Sequence, residues 1–176
     1  MERSLSEAVF FKLKLYYVRI KPDWMVIVHV NKNRRYEDVP RIALDASNKI
    51  IGLGRDAERA SYKAGAGAQL LNGFEHPRMV VGDSLIAQAT LMMFMRQVHP
   101  GWTRALPPMP TMIIHPHVPF TDGLSEVERR ILREVGMAAG ARRVYVYDSP
   151  EELTNEQLAS LTSLVIYKGN HAAHNS

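Results

Sequence analysis

The chain has no cysteine among its 176 residues, so neither a disulfide framework nor a thiolate metal site is open to it. It has no apolar run approaching the ~20 residues that a membrane span needs. Its start, MERSLSEAVFFKLKLYYVRI, does not build the apolar segment of a signal peptide, because Lys12 and Lys14 interrupt it. Internal repeats and low-complexity segments are also missing. Neither sign of charge dominates: the formal net charge is +4 and the pI about 9.4, compatible with an anionic partner without requiring one. A cytoplasmic location fits the lack of cysteine. What is there is a globular composition, 46% hydrophobic and 23% charged, over a length that suits one domain with a real core.

The pattern along the chain is α/β. LKLYYVRI (Leu13–Ile20) and WMVIVHV (Trp24–Val30) read as strands joined by the short turn Lys21-Pro22-Asp23. NKNRRYED reads as a polar loop. VPRIALDASNKIIGLG gives two short strands around a turn at Ala46-Ser47-Asn48, and DAERASYKAG a short helix with Asp56 as cap and Gly65 as stop. GAGAQLLNGFEHP is loop-like. The helix Asp83–His99 is apolar almost all round, capped by Asp83 or Ser84, and is expected to be well buried. A proline-rich connection follows, then the strand TMIIHPHV.

The stretch SEVERRILREVGMAAGARRVYVYDSP is the most informative. Leu124, Val127, Ile131, Val135 and Ala138 recur on one helical face. Ser125 and Glu128 have capping-box spacing, and Glu126 and Arg130 form an i,i+4 pair. Gly140 ends the helix and VYVY reads as a strand. With TMIIHPHV this makes a β-α-β unit, which favours parallel neighbours. EELTNEQLASL reads as helical, SLVIYKG as strand or helix, and the tail NHAAHNS as frayed.

These residues resemble the MreB family of bacterial actins. In that family a T-x-V-E-R-R helix runs into A-G-A-R-x-V-Y and E-E-P. VPRIALDASNKIIGLGRDAERA is similar to its P-S-V-V-A-I-D and K-V-x-A-V-G. MVVGDSLIAQATLMMFMRQVHP is similar to its G-V-I-A-D-x-x-V-T-E-x-M-L-x-x-F-I-x-x-V-H. The likeness is collinear from about Leu13 to Pro150 and corresponds to subdomain I. It implies a ribonuclease-H-like, actin-like ATPase domain: a single mixed five-stranded sheet with packed helices. Residues 1–176 are then expected to be one such domain, with 151–176 a divergent C-terminal segment. The first three strands should form an antiparallel meander, with TMIIHPHV and RRVYVY joining parallel to the first.

The departures bear on function. The family's D-x-G-T-A-N turn positions a magnesium-bound water and a phosphate. The turn here is RIKPDWM, so the aspartate position holds Arg19 or Ile20 and the glycine position Lys21 or Pro22. Proline removes an N–H donor and no glycine permits close backbone approach. Asp23 with Arg19 or Lys21 is a poor substitute, since side chains do not rebuild a backbone cradle. The family's second phosphate loop, D-I-G-G-G-T, has no counterpart in this sequence. Glu128 matches the family glutamate that orients the attacking water. It is the one candidate catalytic residue, although its helix-cap role is the better reading. No cofactor and no metal are expected.

Other candidates have plainer readings. His115 and His117 form an H-x-H pair with only Asp122 nearby, and a packing role is preferred to a metal. His171 and His174 lie in the tail. Met92, Met93 and Met95 read as core. Lys32, Arg34 and Arg35 read as a solvated loop, with an anionic partner as the sharper alternative. GAGAQLLNG lacks the context of a phosphate loop. FFKLKLYY alternates apolar and basic residues and suits a membrane surface, but suits a first strand better.

Two function classes follow. The first is a non-catalytic actin-like interaction module with a protein partner, linked to a cell-shape filament. The alternative is an ATP-binding filament subunit or ATPase completed by a second chain. A nucleic-acid partner is not expected, because no aromatic-rich basic motif supports one. The sheet edge near His115, His117, Phe120 and the Lys21–Trp24 turn is expected to be exposed ground. It would be covered by residues 151–169 folding back, with a homodimer on the remaining surface.

Overall fold

The computed structural model describes residues 14–99, 110–117 and 123–161. The strands are β1 (Leu15–Ile20), β2 (Met25–His29), β3 (Arg34–Asp38), β4 (Ile42–Leu44), β5 (Ile50–Leu53), β6 (Gln69–Leu71), β7 (Thr111–Pro116) and β8 (Arg143–Val146). The α-helices are α1 (Asp56–Ala64), α2 (Ser84–Val98) and α3 (Glu126–Ala138). Residues 155–161 are also helical.

The main sheet has the order β3-β2-β1-β7-β8. β1, β2 and β3 run antiparallel, and β7 and β8 join parallel to β1. This is the mixed five-stranded sheet expected from the sequence, with one strand drawn from elsewhere. The meander's third strand is RRYED, which reads as a loop because its residues are polar. It is an edge strand with exposed and half-buried residues, where charge is tolerated and discourages pairing with other chains. The strands of VPRIALDASNKIIGLG instead build a second sheet, β5-β4-β6. Its third member, β6, comes from the segment read as loop-like.

β1 is apolar on both faces because it is central. Tyr16, Val18 and Ile20 face the core beneath α2 and α3, with Met25, Ile27, Met112 and Ile114. Leu15 and Tyr17 point the other way and pack with Ile113 and Leu158. The period of two along the strand produces both sets.

The helices bury only part of the faces expected; Leu124, Ile131 and Val135 join the core as read. α3 buries Leu132, Val135 and Gly136, while Val127 is 66% exposed. The true stripe is rotated toward Leu132 because Gly136 must meet the sheet. A Cβ there would lie 2.7 Å from Val144 Cγ2. Arg130 pairs with Glu134, and Glu126 with Arg129, in place of the Glu126–Arg130 pair. α2 is buried on one side only, through Ala87, Thr90, Leu91, Phe94, Met95 and Val98, and Leu85 is 72% exposed. Asp83 caps α2, accepting from the Leu85 and Ile86 N–H groups. At α1 the cap position is Arg55, not Asp56, and Gly65 ends the helix with φ 73°.

Candidate functional site

The turn between β1 and β2 stands where the family resemblance puts a phosphate. Its backbone is closed on itself. The Lys21 N–H donates to the Trp24 carbonyl at 2.8 Å, and the Trp24 N–H donates back at 3.4 Å. Pro22 has no N–H to offer. Its carbonyl accepts from Asn72 Nδ2 at 2.7 Å, which ties the turn to the segment after β6. The Arg55 guanidinium sits over the half-buried Trp24 ring, 5.6 Å from its centroid. Arg55 is itself fixed by Asp38, through Nε and the backbone N–H, each at 3.1 Å. Arg19 does not reach toward the turn; it pairs with Glu152.

Beside this turn lies a cavity of about 30 Å³, lined by Ile20, Lys21, Pro22, Phe74, His76, Met79, Val80 and His117. That is room for about one water, whereas small-molecule pockets run to about 300–1,000 Å³. These residues do not fit a magnesium nucleotide. A phosphate cradle needs several free, convergent N–H groups, and the Lys21 and Trp24 N–H groups are spent on each other's carbonyls.

Glu128 lies in the first turn of α3, and among the described residues its hydrogen bonds go to Ser125 and Val80. Its Oε2 accepts from the Ser125 N–H at 3.0 Å and hydroxyl at 2.7 Å, and the Ser125 hydroxyl accepts from the Glu128 N–H at 3.2 Å. This is the capping box read from the spacing. Its Oε1 accepts from the Val80 N–H at 3.3 Å, so the same carboxylate also fastens the segment before α2. Burial pushes its pKa up, but the hydrogen bonds from Ser125 and Val80 outweigh that and hold it below the ordinary value. An ionised carboxylate with its lone pairs engaged is an anchor and a poor proton acceptor.

The histidine pair is split by its surroundings. His115 is 6% exposed, so it is not part of an open edge. Its Nδ1 lies 2.5 Å from the Tyr17 hydroxyl and its Nε2 2.8 Å from the Ser149 carbonyl. Both nitrogens are occupied, while His117 is exposed at the strand end. Among the described residues no group of three His, Asp or Glu side chains is placed to hold a metal. Arg35 pairs with Glu37. Lys32 and Arg34 make no ion pair among the described residues, and both act on the charge of His29. Met95 is buried and Met92 packs on the core. Phe120, Asp122, His171, His174 and the first half of FFKLKLYY lie outside the described residues.

The described part of the expected cover folds back, but onto a different face, and residues 162–169 lie outside the described residues. Residues 153–161 lie over the second face of the main sheet, where Leu153, Leu158 and Leu161 pack on Leu15, Tyr17 and Ile113. They do not cover the edge by His117 and the turn. Next to them runs an apolar groove of about 590 Å³ between β8 and this segment. Three anchors were missed from sequence: Asn72, Arg55 and the Arg129–Asp148 ion pair that joins α3 to the end of β8. A fourth was readable. Thr154 and Gln157 form a second capping box, with T-x-x-Q spacing, Thr154 N–H to Gln157 at 2.8 Å and Gln157 N–H to Thr154 at 3.2 Å.

An antiparallel meander, continued by two parallel strands and carrying a small inserted sheet before α2, is an actin-like ATPase fold. Two solved structures of MreB5 from Spiroplasma citri share it. The one bound to ADP superimposes with a TM-score of 0.59 at 14% identity, over 77% of this chain and 38% of that one. The one bound to AMPPNP gives 0.56 at 16% identity, over 76% and 38%. At those identities the likeness establishes the fold. In sequence, the cell shape-determining protein MreB of Haemophilus influenzae is 35% identical over 71 residues, 40% of this chain and 18% of that protein. No family model matches. The chain is therefore MreB-like over a subdomain-sized part, and spans well under half the length of the relatives it matches.

Proposed function

We propose that this chain works as one non-catalytic, actin-like interaction domain that associates with a protein partner of the cell-shape cytoskeleton. The observation that carries the reading is the β1–β2 turn, whose Lys21 and Trp24 backbones bond to each other around Pro22. In an actin-like fold this turn is the element on which nucleotide chemistry depends. When its donors are internally satisfied, what remains of the fold is its surfaces. Glu128 supports the same reading, since it holds Ser125 and Val80 in place. The cytoskeletal link rests on the likeness to a cell shape-determining protein over 71 residues. Cytoplasmic placement is part of the proposal; among the described residues no helix is long and apolar enough to cross a membrane.

Two measurements test this. Calorimetric titration with magnesium–ATP should give no saturable heat, and no phosphate should be released. Co-sedimentation with polymerised MreB from the same cell should carry the chain into the pellet. Saturable ATP binding, with hydrolysis that disappears in a folded Glu128→Ala variant, would establish the alternative of a nucleotide-dependent filament subunit. Failure to sediment with the filament would remove the cytoskeletal link.

A further inference from the structure

We propose that residues 149–161 are a strap over the second face of the main sheet, latched by the Tyr17–His115 hydrogen bond, and that mild acid releases the latch. This does not depend on the functional reading above.

The hydrogen bonds fix the direction of every proton. The Ser149 carbonyl can only accept, so His115 Nε2, 2.8 Å away, carries a hydrogen. In the neutral ring Nδ1 is then a bare acceptor. The Tyr17 hydroxyl, 2.5 Å away, donates to it. The Tyr17 oxygen in turn accepts from the Leu153 N–H at 3.2 Å. Two backbone groups of the strap, Ser149 C=O and Leu153 N–H, are thus held by one imidazole on β7 and one phenol on β1. Each donor and acceptor named is used once. The Arg19–Glu152 ion pair adds a third tie, and Leu153, Leu158 and Leu161 supply the apolar contact.

A second proton breaks this scheme. Nδ1 becomes a donor and faces a hydroxyl that was donating to it. The Tyr17 proton must turn away, and its oxygen must serve two N–H groups at once. The ring is buried, and its neighbours do not stabilise the charge well. Glu152 and the Ser149 carbonyl favour it. Arg19 and His117 oppose it, and the Tyr17 and Tyr147 rings pack beside it. Burial dominates, so the His115 pKa lies below the ordinary value. His115 thus takes up the proton more readily once the strap is released or the chain unfolded. The latch is therefore complete above about pH 6.5 and weakens as pH falls below it. Loosening exposes Leu15, Tyr17 and Ile113 and widens the adjoining groove, which Leu153 and Leu161 help to line.

Hydrogen exchange on the full chain tests this, with rates corrected for intrinsic pH dependence. Between about pH 7.5 and about pH 5, protection of the Leu153 amide and of residues 155–161 should fall about tenfold for each unit by which the His115 pKa is lowered. Amides of β1 and β7 should change less. His115→Gln keeps a donor for Ser149 but cannot titrate, and should abolish the strap's pH response. Tyr17→Phe should leave Leu153 poorly protected at every pH. An imidazole NMR titration of the unaltered chain gives an independent reading, because the His115 and Leu153 signals should shift with one midpoint. No pH response in the strap, an equal response in His115→Gln, or separate midpoints would overturn the proposal.

Discussion

Pro22 and His29 show how much one side chain decides. Pro22 removes a donor from the turn, yet it is not the whole obstacle to phosphate, because the Lys21 and Trp24 N–H groups are bonded across it. Pro22→Gly should therefore still bind no magnesium–ATP by calorimetry. It should also lower stability by about 0.4–1 kcal/mol in urea, through the freer unfolded chain. Recovery of saturable binding in this variant would mean that the proline alone silences the turn. His29 is 1% exposed and stacked on Tyr16 at 4.5 Å. Burial, with Lys32, His99, Lys14 and Arg34 around it, pulls its pKa down to about 4. The folded state keeps this ring neutral while the unfolded chain protonates near 6.5. Stability is thus full above about 6.5 and declines toward pH 4, by at most about 1.4 kcal/mol per pH unit for this ring. His29→Phe, which can keep the stacking, should flatten the urea-midpoint profile over that range. An unchanged slope would place the charge elsewhere.

At the scale of elements, the caps of α2 and α3 came from sequence, that of α1 did not, and the packing faces came only in part. Ser125–Glu128 and Asp83 act where their spacing put them, because a cap needs only its own first turn. The buried stripe of α3 takes in Leu132 and Gly136 and leaves out Val127, because Gly136 is where the helix meets β8. Gly73 is a harder constraint. A Cβ there would land on the Ala87 backbone nitrogen and 2.7 Å from the Ala87 Cα. α2 cannot yield as a side chain would, so Gly73→Ala should cost about 2 kcal/mol or more. Denaturant unfolding measures this directly, and a loss below about 0.5 kcal/mol would show that the segment moves freely off the helix.

For the whole molecule, the distinctive feature is a sheet covered on both faces by different means. α2 and α3 cover one face. The other is closed by a short segment whose Leu158 is 3% exposed. Deleting residues 151–176 should bare Leu15, Tyr17 and Ile113 together. Loss of the Leu158 contact alone is worth about 2–3 kcal/mol. The truncated chain should unfold at lower urea and self-associate in sedimentation. A monomeric product of equal stability would show that the second face needs no cover.

The sequence by itself determined the α/β class, the strands of the β-α-β unit, the caps of α2 and α3 and the loss of one N–H donor at Pro22. Each of these depends on residues close together in the chain. Pro22 lacks an N–H in any fold, and T-x-x-Q caps a helix wherever it sits. The tertiary structure alone decided what distance in sequence conceals. RRYED became a strand because β2 offered its edge. His115 became a buried, doubly bonded ring because Tyr17 and Ser149 converge on it from 98 and 34 residues away. Glu128 gained its hold on Val80 across 48 residues. Polarity and periodicity report what a residue prefers locally, whereas its partner is set by which strands pair and which helix crosses them.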